Sequence, residues 1–426
     1  MESKPHFLEL LRSQELAGIV ASLTALLRTH ATSSHALVTP KGVEAVRAFL
    51  SEDQRAYAST LVDLCVGASK AERLGKAQGA WLFTSVGAEQ STHPNIARIH
   101  AEMFEGCELV VEVCTGSGAD TQAIAARAGR VVSFESDAIA AALAQGNLLR
   151  AGIGNVDVIN AAVPCDEWQA AMEQADGLWA DPSRRTPNGR RTRSIAHHDP
   201  PLALLTTHAR IASMRAVGIK LGPADDVPSA LMQGLYRDYV GSGHECKELV
   251  LRKGSSFEVS ATLVNGTEVR SIRGILQDQE YSIQSWDSGS PRKEHNAMHS
   301  TTPVLLEPHA TLIASGLLGA VYREYGVDPV DPQIAYGIAQ HDPGASEWWT
   351  RFRIVAVDGG VSEKRMQVRI REFEWNKHTE FKKRGWPRDP EELRRALRFA
   401  ESDRHGVVLI VRVGGGHRTY YAERLE

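Results

Sequence analysis

No two cysteines in this chain stand at CxxC spacing. The five present, at 65, 107, 114, 165 and 246, are scattered and odd in number. That excludes a disulfide framework and a cysteine zinc site, and it suits a reducing cytoplasm. Long hydrophobic runs are also missing. The longest, LAGIVASLTALL at 16–27, is too short to span a bilayer. The start, MESKPHFLELLRSQEL, is charged and amphipathic where a signal peptide would have an apolar core and a cleavage site. There is no excess of basic charge: the net charge is −4, so a nucleic acid would have to be met by local patches. Solenoid-type repeats are absent. His295 and His299 stand four apart, but no carboxylate follows at ligand spacing, so no metal is expected. What remains is a soluble chain of 426 residues, 42% hydrophobic and 23% charged, long enough for two to four domains at roughly 100–200 residues each.

Residues 1–104 read as helical. Leu8, Leu10, Leu11, Leu16, Ile19, Val20, Leu23 and Leu26 recur at three- and four-residue steps. HPNIARIHAEMF at 93–104 offers a proline near a helix start. No residue cluster in this part demands chemistry. The style changes at 108, where ELVVEV, RVVSFE, VDVIN, GLWAD and AVGIKLG alternate with helix patterns, and KELVLRK at 247–253 follows as a possible last strand. Short buried strands between helices predict a parallel sheet covered on both faces, with ligands at the carboxyl ends of the strands. FEVSATLVNGTEVRSI predicts a hairpin turning at Asn-Gly. Polar residues 275–300 read as a loop or linker. TLIASGLLGAVYREYG reads as a helix, RFRIVAV, MQVRIREFEW and VVLIVRV as strands, and DPEELRRALRFAE as a helix. The expected division is a helical N-terminal domain (1–104), a Rossmann-like domain (105–256), a hairpin and linker (257–300), a small insert (301–348) and a small α+β domain (349–426).

VVEVCTGSGADT at 110–121 carries the first chemical signal. An acidic residue, Glu112, closes a strand, and a turn with Gly116 and Gly118 enters a helix that begins near Asp120. Glycines let backbone approach a ligand and take positive φ. The next strand ends at Glu135, where a carboxylate can accept both ribose hydroxyls of an adenosine. A dinucleotide site is the alternative, but Thr121 stands where GxGxxG has its third glycine. The pattern therefore favours a nucleoside with an amino-acid tail over a pyrophosphate.

At these residues the chain resembles the class I S-adenosylmethionine-dependent methyltransferases. Aligned on the family's acidic-x-Gly-x-Gly-x-Gly motif, it shows Glu112, Cys114, Gly116 and Gly118, with Cys114 in place of the first glycine. Ala162 occupies the end of the third strand, where the family often has an acidic residue near adenine; Asp166 is a late substitute. The likeness is closer to one bacterial branch with a helical N-terminal part, a ferredoxin-like insert and a C-terminal THUMP-like domain. Its carriers are CTGSGADT, ADPSRR with GRR, HDPPLALL at 198–205, GIKLGP at 218–223, GHECKELVL at 243–251, LLEPHATLIASGLL at 305–318, FRIVAV at 352–357 and FKKRGWPRDPEELRRAL at 381–397. The resemblance implies an α/β fold with a Rossmann-like methyltransferase core. It implies S-adenosylmethionine as cofactor, with Glu112, Cys114, Gly116, Gly118, Asp120 and Glu135 as its binding set. It implies methyl transfer without naming the acceptor.

Asp181-Pro182 follows the fourth strand, the edge that faces the methyl group in this family. Related enzymes acting on amines of bases carry Asp/Asn-Pro-Pro-aromatic there. Here Ser183 and Arg184 occupy the last two places, so the stacking aromatic is missing and the atom methylated stays open. A carboxylate can hold an amine with its lone pair aimed at the methyl carbon and take up a proton. A carbon-5 pyrimidine mechanism would need a cysteine near this strand end, and ADPSRR has none. Arg184, Arg185, Arg190, Arg191 and Arg193 crowd the next dozen positions, and Arg forks bind phosphate. Lys220 and Asp199 are expected near the same edge. Lys382, Lys383 and Arg384, interleaved with Trp375, Phe381 and Trp386, form a second basic stretch of a kind that holds RNA, against the alternative of a core Trp beside a salt-laced helix face. The expected function is RNA methylation, at a base. The rivals are an RNA-binding protein with a non-catalytic Rossmann-like domain and a methyltransferase for protein or small molecules.

Overall fold

The computed structural model describes residues 5–32, 37–183, 195–254, 256–277, 280–286 and 302–426. The chain divides into two compact units. The first holds residues 1–235 and 249–255, the second 236–248 and 256–426.

The first unit opens with helices α1 (Pro5–Arg12), α2 (Leu16–Thr29), α3 (Pro40–Phe49), α4 (Glu52–Arg55), α5 (Ala58–Arg73), α6 (Ser85–Gln90) and α7 (Pro94–Glu102). The three- and four-residue spacing in α2 buries Leu16, Val20, Leu23 and Leu27 on one stripe. Thr39 caps α3 by accepting the Gly42 N–H, and Pro40 takes the first turn, where its missing N–H is harmless. On α5, a side chain at Gly67 would begin 1.9 Å from the Phe83 carbonyl oxygen, so only glycine lets the segment 81–83 lie this close. Among the described residues no single helix is long and apolar enough to cross a membrane.

After these come β1 (Leu109–Val113), α8 (Ala119–Ala125), β2 (Arg130–Glu135), α9 (Ala138–Arg150), β3 (Val156–Asn160), α10 (Asp166–Gln174), β4 (Gly177–Ala180), α11 (Leu202–Thr206) and β5 (Ala216–Leu221). β1 pairs with β2 and β4, β2 with β3, and β4 with β5, all parallel. The order 3-2-1-4-5 reverses direction between β1 and β4, which makes that point the switch of a doubly wound sheet. The N-terminal helices share their core with Ala142 and Leu143 of α9. The helical stretch between β4 and β5 is short: α11 ends at Thr206 and turns follow.

Next are β6 (Leu235–Ser242) and β7 (Glu245–Lys253). Residues 249–252 of β7 pair antiparallel with β5. In the second unit, β8 (Val259–Asn265) and β9 (Glu268–Gln277) form the expected hairpin, with Gly266 at φ 62 and Asn265 opposite Glu268. The linker expected over 275–300 is overturned in part. β9 runs to Gln277 and β10 (Glu280–Trp286) pairs back onto it. Ser282, Gln284 and Ser285 hid this strand, because backbone bonding to β9, not an apolar pattern, sets it.

The remaining elements are β11 (Val304–Pro308), α12 (Ala310–Ser315), α13 (Leu318–Tyr325), β12 (Val327–Asp331), β13 (Ile334–Ala339), β14 (Trp349–Gly359), α14 (Glu363–Glu372), β15 (Glu380–Arg384), α15 (Pro390–Ala396), β16 (Val407–Val413) and β17 (Gly416–Leu425). Their strands make one sheet in the order β12-β13-β11-β14-β17-β16-β15. The single helix expected at 311–326 breaks at Gly316, whose φ of 76 ends α12. MQVRIREFEW, expected as a strand, is mostly helix α14. Met366 and Ile370, four apart, are buried, whereas Val368 is 60% exposed. The alternation was coincidental, and Ser362 caps the helix. β16 buries both faces: Val407, Leu409 and Val411 in one core, Val408 and Ile410 in the other.

Candidate active site

Parallel register brings the carboxyl ends of β1, β2, β4 and β5 to one edge. Glu112 is level with Ser133 and with Trp179, and Ala180 with Ile219. Glu135 therefore leaves β2, Asp181 follows β4, and Lys220 sits near the end of β5, all at that edge.

The loop after β1 is built on three residues at positive φ: Cys114 (68), Gly116 (56) and Gly118 (84). Cys114 is an uncommon tenant of this region. Its N–H donates to the Phe134 carbonyl at 2.9 Å. Burial pushes its thiol far above the ordinary range, with Glu135, Asp181 and Asp199 adding to the effect. Among the described residues, no atom beyond the adjoining ones lies within 4 Å of where a side chain at Gly116 would begin, and the Gly116 N–H donates to Glu135 Oε2 at 2.8 Å. Gly118 precedes α8, and Trp81 lies 3.2 Å from its virtual Cβ. Asn147 holds this corner: its side chain bonds both the N–H and the carbonyl of Leu82 at 2.9 Å and donates to the Ser117 carbonyl at 3.0 Å.

Glu112 is 1% exposed. Thr121 and Ser133 each donate a hydroxyl to its Oε2 at 2.6 Å. Burial raises its pKa to about 8; the two hydroxyls oppose this, and Asp120 and Glu135 reinforce it. Glu112 thus braces β1 against α8 and β2 from below the loop. Glu135 is the accessible partner. Its Oε1 accepts from the Asp137 N–H at 2.9 Å, and burial raises its pKa against the pull of the backbone donors. A carboxylate offers about four lone-pair sites, so two bonds leave room for a vicinal diol. That capacity, beside the open space over Gly116, fits the ribose of S-adenosylmethionine. At the expected adenine side, Ala162 is exposed and Asp166 opens α10.

Asp120, expected in the cofactor set, is instead buried, and it accepts from Thr92 Oγ1 at 2.6 Å and meets His100 Nδ1 at 2.9 Å. Burial alone would raise its pKa, but His100, Lys220 and Thr92 together lower it. Lys220, expected to reach substrate, is 6% exposed, and its ammonium donates to Asp181 Oδ2 at 2.7 Å and to Thr92 Oγ1 at 3.0 Å. Asp181 keeps 29% of its side chain exposed, and Pro182 is buried. The backbones of Ser183 and Asp199 exchange hydrogen bonds at 2.8 and 3.1 Å, which brings the HDPP segment to this strand end. Behind it, buried His198 lies 3.4 Å from Asp225, which accepts the Gly222 N–H. Thr92 and His100 escaped the sequence reading. They come from the helical segment, where no motif marks them. Arg184, Arg185, Arg190, Arg191 and Arg193 lie outside the described residues, as do His295 and His299. Among the described residues no group of three or more His, Cys, Asp or Glu could hold a metal ion.

In the second unit, Lys382 pairs with Glu307 and lies 5.6 Å from the Phe352 ring centroid. Lys383 donates to the Arg388 carbonyl at 2.8 Å, and Arg384 lies over Tyr336. Trp375 is fully buried and Trp386 nearly so, and both belong to one core cluster. Phe381 packs partly against that cluster. The rings expected to stack on bases therefore fill the interior.

A family model described as THUMP domain-like matches residues 350–424. No curated protein sequence matches the chain. Among solved structures, a candidate methyltransferase from Porphyromonas gingivalis W83 is similar over 96% of this chain and 98% of its own, with 16% identity and a TM-score of 0.68. The tRNA (m1A58) methyltransferase TrmI from Aquifex aeolicus covers 39% of this chain and 71% of its own, at 18% identity and a TM-score of 0.25. An rRNA methylase from Streptococcus thermophilus covers 38% and 95%, at 14% identity and a TM-score of 0.28. These last two likenesses are too slight to add to the fold. Residues 350–424 form a THUMP-like domain, β1 to β5 form a Rossmann-like sheet, and the chain shares its fold over 96% of its length with the Porphyromonas gingivalis protein.

Proposed function

We propose that this chain is an S-adenosylmethionine-dependent methyltransferase that modifies an RNA base. The observation that carries the reading is the shared strand edge. Glu135 and the open Gly116 backbone lie on one side of β1, and Asp181 follows β4 on the other. When bound, the cofactor supplies an electrophilic methyl group. Glu135 would accept its ribose hydroxyls, and the turn from Cys114 to Gly118 would hold its nucleoside. Glu112 keeps that turn in place from beneath. Asp181 accepts a hydrogen bond from the acceptor, orients its lone pair, and takes up the proton that leaves as the new bond forms. The THUMP-like domain and the arginines 184, 185, 190 and 191 support RNA as the partner. The domain division drawn from sequence, with boundaries near 104, 256, 300 and 348, belongs to the same proposal.

A second reading, RNA binding without turnover, is favoured by Cys114 at a strained loop position and by exposed Ala162. Calorimetry with S-adenosylmethionine and incubation of labelled donor with RNA, protein and metabolite fractions test both. Micromolar uptake with label in RNA is expected. Uptake without transfer supports the second reading, and label confined to protein or metabolites refutes RNA as acceptor.

A further inference from the structure

Behind Asp181 runs a chain of polar side chains with almost no exposure. Lys220 Nζ donates to Asp181 and to Thr92; Thr92 Oγ1 donates to Asp120 Oδ2; Asp120 Oδ1 meets His100 Nδ1. His100 is 0% exposed, with its ring 4.5 Å from that of Trp179. The members come from α7 and the turn before it, from α8, from β5 and from the exit of β4. Buried ion pairs are a poor route to stability, because desolvation cancels most of their attraction and apolar replacements are often as good. Two carboxylates, an ammonium and an imidazole ending on a partly exposed carboxylate of the edge therefore call for another explanation.

We propose that Lys220 is a positioning residue of the acceptor site, held from behind by Thr92 and Asp120 so that it keeps the Asp181 carboxylate charged and in one orientation. This rests on the reading of Asp181 as the acceptor-binding group. The geometry explains the need. Asp181, Glu135 and Asp199 are the carboxylates whose fields meet at Cys114, beside Asp181. Glu135 comes from β2, Asp199 from the segment bridged to Ser183, and Cys114 from the loop after β1. Lys220, from β5, is the cation at Asp181 among the described residues. Removing this contact cation would let Asp181 bind a proton more readily, and a protonated Asp181 cannot take the proton of an N–H nucleophile. Thr92 fixes the ammonium by accepting one of its three hydrogens. Asp120, held in its charged form by His100 and Lys220, receives the Thr92 hydroxyl and so sets its direction.

The test needs neither cofactor nor acceptor. Protein with 13C-carboxyl aspartate is titrated by NMR, and the Asp181 signal is assigned by its loss in Asp181→Asn. Lys220→Met should raise the Asp181 midpoint by about 1–3 units. Lys220→Arg should hold it near the unaltered value, and Thr92→Val should move it upward by less. An unchanged midpoint in Lys220→Met overturns the proposal. If that variant does not fold, Thr92→Val decides alone by the same criterion. In the transfer assay, Lys220→Met should lower kcat at least tenfold and move the acid limb of the pH profile upward, with cofactor affinity within a few-fold and Lys220→Arg restoring the limb. A fall in kcat with an unmoved acid limb also overturns it. Failure of the methyltransferase reading is seen separately, as no uptake of S-adenosylmethionine by the unaltered chain.

Discussion

Burial of Glu112 between Thr121 and Ser133 gives stability a pH dependence opposite to that of most carboxylates. Its pKa in the fold is about 8, above the ordinary range, so the folded state binds this proton more tightly than the unfolded chain does. The stabilisation is full below the ordinary carboxylate pKa and is lost as pH rises through about 8. Asp120 runs the other way. Its lowered value favours the fold above the ordinary range, and the benefit disappears as pH falls. Glu112→Gln retains an acceptor for the two hydroxyls and removes the titration. It should flatten the decline in unfolding free energy between pH 5 and 9 and make the variant roughly 1–3 kcal/mol more stable than the unaltered protein at pH 9. Urea titrations across that range check this, and an unaltered slope refutes it. The sequence exposed Glu112 and Glu135 alike, as acids on successive strand ends. It could not separate them, because which carboxylate turns inward depends on Thr121 and Ser133, one on α8 and the other on β2.

Helix α14 shows how two periods can coincide in a short stretch. Met366, Val368 and Ile370 alternate as a strand would, yet Met366 and Ile370 also share a helical face, and only those two are buried. The deciding signals were Ser362, which accepts the Arg365 N–H, and the charges that fill the other positions. Val368→Lys should stay within about 0.5 kcal/mol of the unaltered stability, whereas Met366→Ala should lose about 2–5 kcal/mol. Comparable losses in the two variants, measured by chemical denaturation, would return the segment to a strand. The parallel strands were legible for the opposite reason. β1, β2, β4 and β5 are near-continuous apolar runs between glycine turns, and no helical stripe competes with them. β10 and β15 were missed because polar edge strands carry little pattern.

Taken whole, the molecule carries a net charge of −4, so the proposed attraction to RNA requires locally concentrated positive charge. Arg184, Arg185, Arg190 and Arg191 follow Asp181 directly in sequence. Replacing all four with Gln should reduce the slope of log affinity against log salt by about 0.7 for each phosphate that is no longer neutralised, leaving cofactor uptake unchanged. Binding measured at several salt concentrations decides it, and an unaltered slope removes these arginines from the interface. The place of Asp181 at the end of β4 was readable because it follows GLWA directly in sequence. Thr92 and His100 were not, since only tertiary folding carries a helix from near residue 100 to the end of β5.

The same folding gives residues 81–83 a part in the site. The indole of Trp81 covers Gly118, and a single amide, that of Asn147, ties Leu82 to Ser117. The glycine turn thus lies under a roof supplied from about forty residues upstream. A stretch with no chemical motif of its own thus covers the turn, so the first hundred residues cannot be pruned away without uncovering Gly118 and releasing Asn147 from Leu82.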